Sequence, residues 1–318
     1  MQTAHEQMLA VNGLRMRVVT QGSGPLVLLC HGFPEHPHSW CHQIAALSAA
    51  GYRVAAPDMR GYGATDAPAD VDQYTLPHLV GDMVDLVKVL GETQAVIVGH
   101  DWGAAVAWNS ALLRPDLFRA VAGLSVPYAP PGKVDLLTSL EQAGIHDFYI
   151  QYFQTPGVAE AELERDPAET IRRIHFSGSG DGPSRDRGGR LGNGGYLTHT
   201  VDPAVLPAWM GADDVAVYAQ AFAKAGFRGG LNWYRNLRRN PGLLSPWRGL
   251  PIRQPSLFIA GTRDAVLQFP ASAAQIEAYP RTLPGLRGCH LLEGAGHWIQ
   301  RERASEVSAL LIGFLRGL

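Results

Sequence analysis

Short apolar runs alternate with amphipathic stretches along the first 126 residues of the chain. Residues 7–11 and 14–20 flank Asn12-Gly13, a pair that strongly favours a two-residue hairpin turn. The runs 26–30 and 95–98 contain only apolar residues, as expected of strands buried on both faces of a parallel sheet. Residues 79–90 carry apolar side chains at helical spacing and end before Gly91, which favours a helix terminus there.

The same alternation predicts further elements and then stops for a long stretch. We predict helices over 39–50 and 104–113 and strands over 52–56 and 118–126, which together indicate right-handed βαβ units. No apolar strand run occurs from residue 128 to about 245, and the pattern resumes with strands over 255–260 and 289–292 and helices over 271–278 and 304–315. The chain is therefore predicted to be an α/β protein with a mostly parallel sheet flanked by helices. Its core comprises residues 1–127 and 246–318, and a mostly helical cap comprises residues 128–245.

Composition narrows the functional classes. The formal net charge is −2, which argues against a nucleic-acid partner, and no apolar run reaches the roughly 18 residues of a membrane span. The first thirteen residues are polar, so we predict no secretory signal. Cys30, Cys41 and Cys289 are odd in number and widely spaced, which favours free thiols in the cytoplasm over disulfides or a metal site. The 36 glycines include eight within residues 177–195, which we expect to form a mobile surface loop.

The motif Gly99-His100-Asp101-Trp102-Gly103 lies between a predicted strand and a predicted helix. It has the form of a nucleophile elbow, in which small flanking residues permit a sharp turn that exposes the central side chain. Aspartate takes the nucleophile position, and no Gly-x-Ser-x-Gly occurs in the chain, which argues against an ordinary esterase or lipase. The alternative is that Asp101 only caps the helix that follows.

A second loop, His31-Gly32-Phe33-Pro34, follows the apolar run 26–30. In hydrolases with a nucleophile elbow, an N–H group of this loop and the N–H just after the nucleophile bind an oxyanion. The predicted donors are the backbone N–H groups of Phe33 and Trp102, and packing alone is the alternative role of the loop. Histidines at positions 31, 36, 38 and 42 crowd this region, but no carboxylate or cysteine pattern completes a metal site, so we predict none.

Two further polar residues follow late predicted strands, where α/β sheets place their ligands. Asp264 follows the strand over 255–260, and His297 follows the strand over 289–292. The order Asp101, Asp264, His297 is the order of nucleophile, acid and histidine in hydrolases with this elbow. We therefore predict that Asp264 orients His297 and that His297 acts as the general base.

These residues carry a resemblance to a known family. The chain resembles the epoxide hydrolases of the α/β-hydrolase superfamily, and is similar to the hydrolase domain of the soluble epoxide hydrolases over nearly its whole length. The most specific matches are two segments of the predicted cap, residues 151–160 (QYFQTPGVAE) and 226–236 (GFRGGLNWYRN). In the family, one tyrosine of each segment reaches the epoxide oxygen. By motif match these tyrosines are Tyr152 and Tyr234, and packing within the cap is the alternative for each.

The resemblance implies a reaction and a site. Asp101 would attack an epoxide carbon and form an alkyl ester while the two phenols protonate the leaving oxygen. Water activated by His297 would then hydrolyse the ester and release a vicinal diol. Phe33, Pro34 and Trp102 would contact the substrate, a small-molecule epoxide. The chemistry needs no cofactor, and the resemblance also points to a homodimer.

Two alternatives stay open at the level of sequence. A haloalkane or haloacid dehalogenase uses the same Asp nucleophile and ester, and Trp102 could bind its halide, although Phe33 takes a position where those enzymes often have an amide side chain. A non-catalytic small-molecule receptor on a hydrolase fold is the other alternative, against which the complete triad argues. Diol release from an epoxide, or halide release from a haloalkane, distinguishes these functions.

Overall fold

One eight-stranded sheet organises the chain. The computed structural model describes residues 4–183, 189–269 and 271–318. The sheet order is β1-β2-β4-β3-β5-β6-β7-β8, and the strands are β1 His5–Val11, β2 Leu14–Gln21, β3 Leu26–Cys30, β4 Arg53–Pro57, β5 Ala95–His100, β6 Phe118–Leu124, β7 Ser256–Gly261 and β8 Leu286–Leu292. Strand β2 pairs antiparallel with β1 and β4, and the other neighbours are parallel. The predicted mostly parallel sheet is confirmed.

Helices flank this sheet and fill the sequence between β6 and β7. The α-helices are α1 Cys41–Ala49, α2 Leu76–Val89, α3 Trp102–Leu113, α4 Leu136–Gln142, α5 Tyr149–Tyr152, α6 Val158–Leu163, α7 Pro167–Gly178, α8 Ala212–Ala225, α9 Arg228–Arg235, α10 Asn240–Leu243, α11 Ser272–Glu277, α12 Tyr279–Thr282, α13 Ile299–Glu302 and α14 Ala304–Arg316. Short 3₁₀ turns occur at Pro37–Trp40, Val71–Tyr74, Leu197–His199, Ser245–Trp247 and Ala265–Gln268. Between β6 and β7 the described residues form helices and a single isolated bridge, Phe148 with Arg190.

The burial of each strand follows its place in the sheet. Every residue of β3, β5 and β7 is buried, as the unbroken apolar runs predict for central parallel strands. The edge strand β8 alternates between partly buried and exposed residues. At the other edge, Asn12 and Gly13 both have positive φ, 46° and 79°, which confirms the predicted hairpin turn. In the described part of the chain, no helix combines the length and hydropathy required to cross a bilayer.

The glycine-rich segment 177–195 differs from its prediction. Residues 184–188 lie outside the described residues, so the prediction of mobility is not tested there. Before them, Ser177 and Ser179 are only 3% and 5% exposed, so the expectation of a surface loop is wrong for this part. The physical reason is close backbone packing, because a Cβ on Gly180 would lie 2.0 Å from the carbonyl oxygen of Gly294. The domain boundaries at 127/128 and 245/246 stay a prediction.

Candidate active site

The nucleophile elbow is confirmed in its geometry. Strand β5 ends at His100 and α3 begins at Trp102, so Asp101 alone makes the turn, with φ 53° and ψ −121°. A Cβ on Gly99 would lie 1.9 Å from the carbonyl oxygen of Gly103, and a Cβ on Gly103 would lie 2.1 Å from the carbonyl oxygen of Cys30, which explains why both flanking residues are glycine. Asp101 makes no side-chain cap to α3 among the described residues, so helix capping does not explain it. Such strained backbone at a non-glycine residue is typical of functional sites.

The two carboxylate oxygens of Asp101 have different partners. Oδ1 accepts a hydrogen bond of 2.8 Å from the backbone N–H of Phe33. Oδ2 lies 3.5 Å from Nε2 of His297. Gly32 lets the loop come this close, because a Cβ there would lie 2.4 Å from Asp101 Oδ1. The N–H of Trp102 is the first of α3 and follows Asp101 directly, as the predicted oxyanion site requires.

Asp264 and His297 meet as predicted from their places after β7 and β8. Nδ1 of His297 lies 3.0 Å from both carboxylate oxygens of Asp264, which is fully buried. Burial disfavours the imidazolium, but Asp264 and Asp101 outweigh it and raise the pKa of His297 well above its ordinary value. Burial likewise opposes ionisation of Asp264, yet the charge and hydrogen bond of His297 lower the pKa of this carboxyl group.

A buried polar group behind His297, the carboxylate of Glu35, was not among the residues predicted from the sequence. Glu35 Oε2 accepts the N–H of Gly32 at 2.8 Å and lies 2.6 Å from Nδ1 of His100, while Oε1 accepts from Gln300 at 2.7 Å. Nε2 of His100 in turn lies 2.7 Å from the carbonyl oxygen of His297. Burial alone would raise the pKa of Glu35, but His100 and the Gly32 N–H lower it to about 2. The sequence carried a signal for this group, because Glu35 directly follows the loop His31-Gly32-Phe33-Pro34 and His100 lies within the elbow motif.

A cavity opens over Asp101 and His297, and its remaining lining is mainly aromatic and aliphatic. Among the described residues it is lined by Phe33, Asp101, Tyr149, Phe153, Ile174, Gly178, Gly189, Tyr196, Tyr234, Asp264, Ala265, Val266, Phe269, His297 and Trp298. Burial and the charge of Asp101 raise the pKa of the Tyr234 phenol well above its usual range, so this group stays protonated. The placement of Tyr234 at the cavity agrees with its prediction.

The prediction for Tyr152 does not agree with the structure. Tyr152 is not among the described residues that line the cavity, and its hydroxyl donates to Glu162 at 3.0 Å. Tyr149, three residues earlier, lines the cavity instead, with its ring centroid 6.2 Å from that of Tyr234. Residues three and four positions apart lie on neighbouring parts of one helix face, so spacing alone does not separate Tyr149, Tyr152 and the buried Phe153. The matched segment 151–160 begins after Tyr149, so the motif did not include the tyrosine that lines the cavity.

Backbone contacts hold the two cavity tyrosines in place. The N–H of Tyr149 donates to the carbonyl oxygen of Gly189 at 3.0 Å, which ties it to the described end of the glycine-rich segment. Arg235, next to Tyr234, pairs with Glu160 at 2.8 Å and donates to the carbonyl oxygen of Phe153 at 3.1 Å. Helix α9 and the Tyr149 segment are thus joined directly.

The three residues predicted to contact substrate differ in their placement. Phe33 lines the cavity. Pro34, after a cis peptide bond, is not among the described lining residues, and its carbonyl oxygen lies 3.2 Å from Nε2 of His175. Trp102 is not among them either, but its ring packs edge-on against Tyr234 with centroids 5.1 Å apart. Trp102 therefore packs behind a lining residue, whereas the contact of Pro34 is with His175, which is not among the described lining residues.

No group of three or more histidine, cysteine, aspartate or glutamate side chains suited to a metal occurs in the part of the chain that the structure describes. The histidines near the first loop have other partners. Nε2 of His31 accepts the N–H of Met59 at 3.0 Å, and Nε2 of His36 lies 3.5 Å from Asp58.

Comparisons with known proteins show the family to which the chain belongs. Residues 25–304 match the family model described as the alpha/beta hydrolase fold. The chain is 45% identical to "Epoxide hydrolase A" of Mycobacterium tuberculosis, over 98% of both chains. It belongs to the epoxide hydrolases of the α/β-hydrolase fold. Solved epoxide hydrolases are equally similar: one from an endophytic Streptomyces has 46% identity, a TM-score of 0.94 and covers 99% of this chain and 96% of its own. Epoxide hydrolase A of Mycobacterium thermoresistibile has 44% identity and a TM-score of 0.92 over 99% of both chains.

Membership of the epoxide hydrolases resolves the alternatives left open by the sequence. The relatives favour an epoxide hydrolase over a dehalogenase or a receptor across the full length of the chain. The predicted fold class and enzyme class are thereby confirmed. The role of each residue in the reaction has to be inferred from the distances and contacts within the site.

Proposed function

We propose that this epoxide hydrolase converts an epoxide and water to a vicinal diol through an alkyl ester of Asp101. One observation carries the proposal. The two oxygens of Asp101 face different partners, the N–H of Phe33 at 2.8 Å and Nε2 of His297 at 3.5 Å. Oδ1 is therefore placed to become the ester carbonyl oxygen, and Oδ2 is placed to attack carbon at the side from which water must later approach.

The first step opens the epoxide ring. Oδ2 of Asp101 forms a bond to one epoxide carbon, and the carbon–oxygen bond of the ring breaks. The departing oxygen needs a proton, and Tyr149 and Tyr234 are the phenols at the cavity. Their hydroxyl groups can hydrogen-bond the oxygen and deliver a proton to it as its charge develops. The pair Tyr149 and Tyr234 replaces the pair Tyr152 and Tyr234 of the sequence-based prediction.

The second step hydrolyses the ester. Esterification removes the negative charge of Asp101, which is one of the two carboxylates that raise the pKa of His297. The imidazole then gives its proton more readily to the phenolate left by ring opening and becomes the neutral base that the step requires. It takes a proton from water, and the hydroxide attacks Cγ of the ester. The N–H groups of Phe33 and Trp102 bind the resulting oxyanion. As the oxyanion collapses, the imidazolium protonates the leaving alkoxide to complete the diol, and the acid proton of Asp101 returns to His297, which regenerates the carboxylate.

A labelling experiment tests this route. In a single turnover in H₂¹⁸O, excess enzyme should place the label in the peptide that contains Asp101 and leave the first diol unlabelled, because water attacks the ester and not the epoxide. His297→Gln should accumulate an enzyme heavier by the mass of the epoxide. Label in the first diol, together with no mass gain in the variant, would show direct attack by water and disprove the ester.

The cavity also supports a substrate class. Among its described lining residues, the charged groups are Asp101, Asp264 and His297, all of which the reaction uses, and the rest of the wall is mostly apolar. An uncharged, apolar epoxide therefore fits best, because a buried charge on the substrate would lack a partner. A matched pair of epoxides differing in one carboxylate should differ in kcat/KM, with the uncharged member favoured.

We also propose that the protein is cytoplasmic and dimeric. Cys30, Cys41 and Cys289 are free thiols, which supports a reducing compartment. The family resemblance supports the homodimer, and analytical ultracentrifugation tests it, with a single species of monomer mass as the contradicting result.

A further inference from the structure

The loop that carries His297 is held by three successive backbone N–H groups. Gly296 donates to Oε2 of Glu302 at 2.8 Å, and Trp298 donates to Oε1 of the same carboxylate at 3.0 Å. Between them, His297 donates to the carbonyl oxygen of Gly178 at 2.8 Å. The position of the catalytic imidazole therefore depends on one side chain, Glu302, and on the end of helix α7.

The same carboxylate also binds the segment after α7. Gly180 donates its N–H to Oε2 of Glu302 at 2.8 Å, so Glu302 accepts three backbone hydrogen bonds and joins two separate pieces of chain. A carboxylate has room for about four such donors, and hydrogen bonds to a charged acceptor are the stronger kind. The loop of His297 and the segment after α7 are closely packed, because a Cβ on Gly296 would lie 2.4 Å from the nitrogen of Gly180.

Glu302 has no part in the chemistry already described. It is not among the described residues that line the cavity, and none of the ion pairs found within the described ranges includes it. Burial raises the pKa of its carboxyl group, the three N–H groups oppose that rise, and the charge of Asp264 adds to it. Burial of a carboxylate costs folding free energy, and the three hydrogen bonds to Glu302 offset that cost. The same hydrogen bonds fix the backbone of the loop.

We infer that Glu302 is a positioning residue for the general base. By clamping the amides on both sides of His297, it keeps Nε2 3.5 Å from Asp101 Oδ2 while Nδ1 stays on Asp264. Through Gly180 it makes the segment after α7 a part of the support of the base. The inference rests on the proposed function, since it assigns Glu302 to the step in which His297 activates water.

Glu302→Gln is the direct test, because the amide side chain has one acceptor oxygen where the carboxylate has two. Whichever way it turns, its NH₂ group faces at least one backbone N–H. Pre-steady-state mixing with epoxide and quenching, followed by intact mass, gives the rates of ester formation and ester loss separately. We expect ester formation near the wild-type rate and ester loss slowed about tenfold to a hundredfold, the range for losing one hydrogen bond to a charged group. The ester should therefore accumulate in the steady state.

Glu306→Gln is the matched control. Glu306 is an exposed glutamate four residues further on, in the first turn of α14, and its change should leave both rates unaltered. If Glu302→Gln yields too little folded protein, Glu302→Asp keeps the charge but shortens the reach by one methylene. It cannot then bind the loop and Gly180 together, and ester loss should again slow selectively.

The outcomes separate this inference from the proposed function. Ester loss at the wild-type rate in the Glu302 variant, or equal slowing of both steps, overturns the positioning role. A lower amplitude of ester with both rates unchanged means that only the folded fraction fell, and it overturns the role as well. Absence of an ester in wild type and in His297→Gln contradicts the covalent route itself, whatever Glu302 does.

Discussion

Replacing Asp101 by Asn should lower the pKa of His297. Asn keeps the shape of the side chain and still offers an oxygen to the N–H of Phe33, but it removes the negative charge 3.5 Å from Nε2. In the proposed reaction the ester of Asp101 is neutral as well, so the variant reproduces the charge state in which the base must act. Asp264 remains in both proteins and continues to favour the imidazolium.

The distance between the two charges determines how far the pKa of His297 should fall. Two unit charges 3.5 Å apart attract by about 1 kcal/mol in bulk water and by roughly 5 kcal/mol at an effective dielectric constant of about 20. The side chains of His297 and Asp101 are only 11% and 14% exposed, so the second value is the nearer one, before the cost of desolvation is subtracted. At about 1.4 kcal/mol for each factor of ten, the proton affinity of His297 should fall by at least about tenfold.

The assay is an NMR titration of the histidine side chains in wild type and Asp101→Asn, with the His297 resonance assigned by its loss in His297→Gln. Asp116→Asn serves as the control, because Asp116 is an exposed carboxylate beyond the opposite end of α3. Coincident His297 titrations in wild type and Asp101→Asn would refute the reasoning. They would mean that Asp101 does not hold the proton on the imidazole, so its esterification could not release the base.

Two further predictions follow from the site. Tyr149→Phe and Tyr234→Phe should each slow ester formation by at least about tenfold, because general acid catalysis contributes about 10²–10⁴-fold and one of the two phenols remains, while Tyr152→Phe stays within about twofold of wild type. The rate of ester formation in stopped-flow experiments checks this, and slowing by Tyr152→Phe alone would restore the original assignment. The raised pKa of His297 means that the folded protein binds its proton more tightly than the unfolded chain. The resulting stabilisation is present below about pH 6.5, the ordinary histidine pKa, and disappears as the pH rises through the folded-state pKa. In urea unfolding, the free energy of unfolding should therefore differ more between wild type and His297→Gln at low pH than at high pH. A difference that is independent of pH would contradict this prediction.

The convergence of Asp101, Asp264 and His297 was predictable because each of them follows a strand. In a parallel sheet the carboxyl ends of strands share one edge, so Asp101, Asp264 and His297 had to converge once β5, β7 and β8 were recognised. The donor Phe33 follows β3, the neighbour of β5, and was predictable for the same reason. The period of the apolar residues was sufficient for this part of the site.

No comparable rule predicts which side chains of the cap helices face the cavity. Helix α5, which carries both tyrosines, is only four residues long, and which of its faces points to the cavity depends on contacts with residues outside the helix. Gly189 holds the N–H of Tyr149, and Glu162 holds the hydroxyl of Tyr152. The matched segment 151–160 includes Tyr152 and begins two residues after Tyr149, and helical spacing does not separate the two tyrosines, because the choice is made by tertiary contacts.

The glycine-rich segment 177–195 is a second case in which the local sequence does not reveal the tertiary contacts. Its composition is typical of a mobile loop, since glycine and small polar residues bury little apolar area. Glycine also permits backbones to approach more closely than any other residue, and here Gly178 and Gly180 bring their carbonyl and N–H groups to the loop of His297 and to Glu302. Composition alone cannot separate these two uses of glycine, because the partner that distinguishes them, a loop more than a hundred residues away, leaves no trace in the local pattern. Residues that composition assigns to a mobile loop thus hold the loop of His297, the proposed general base.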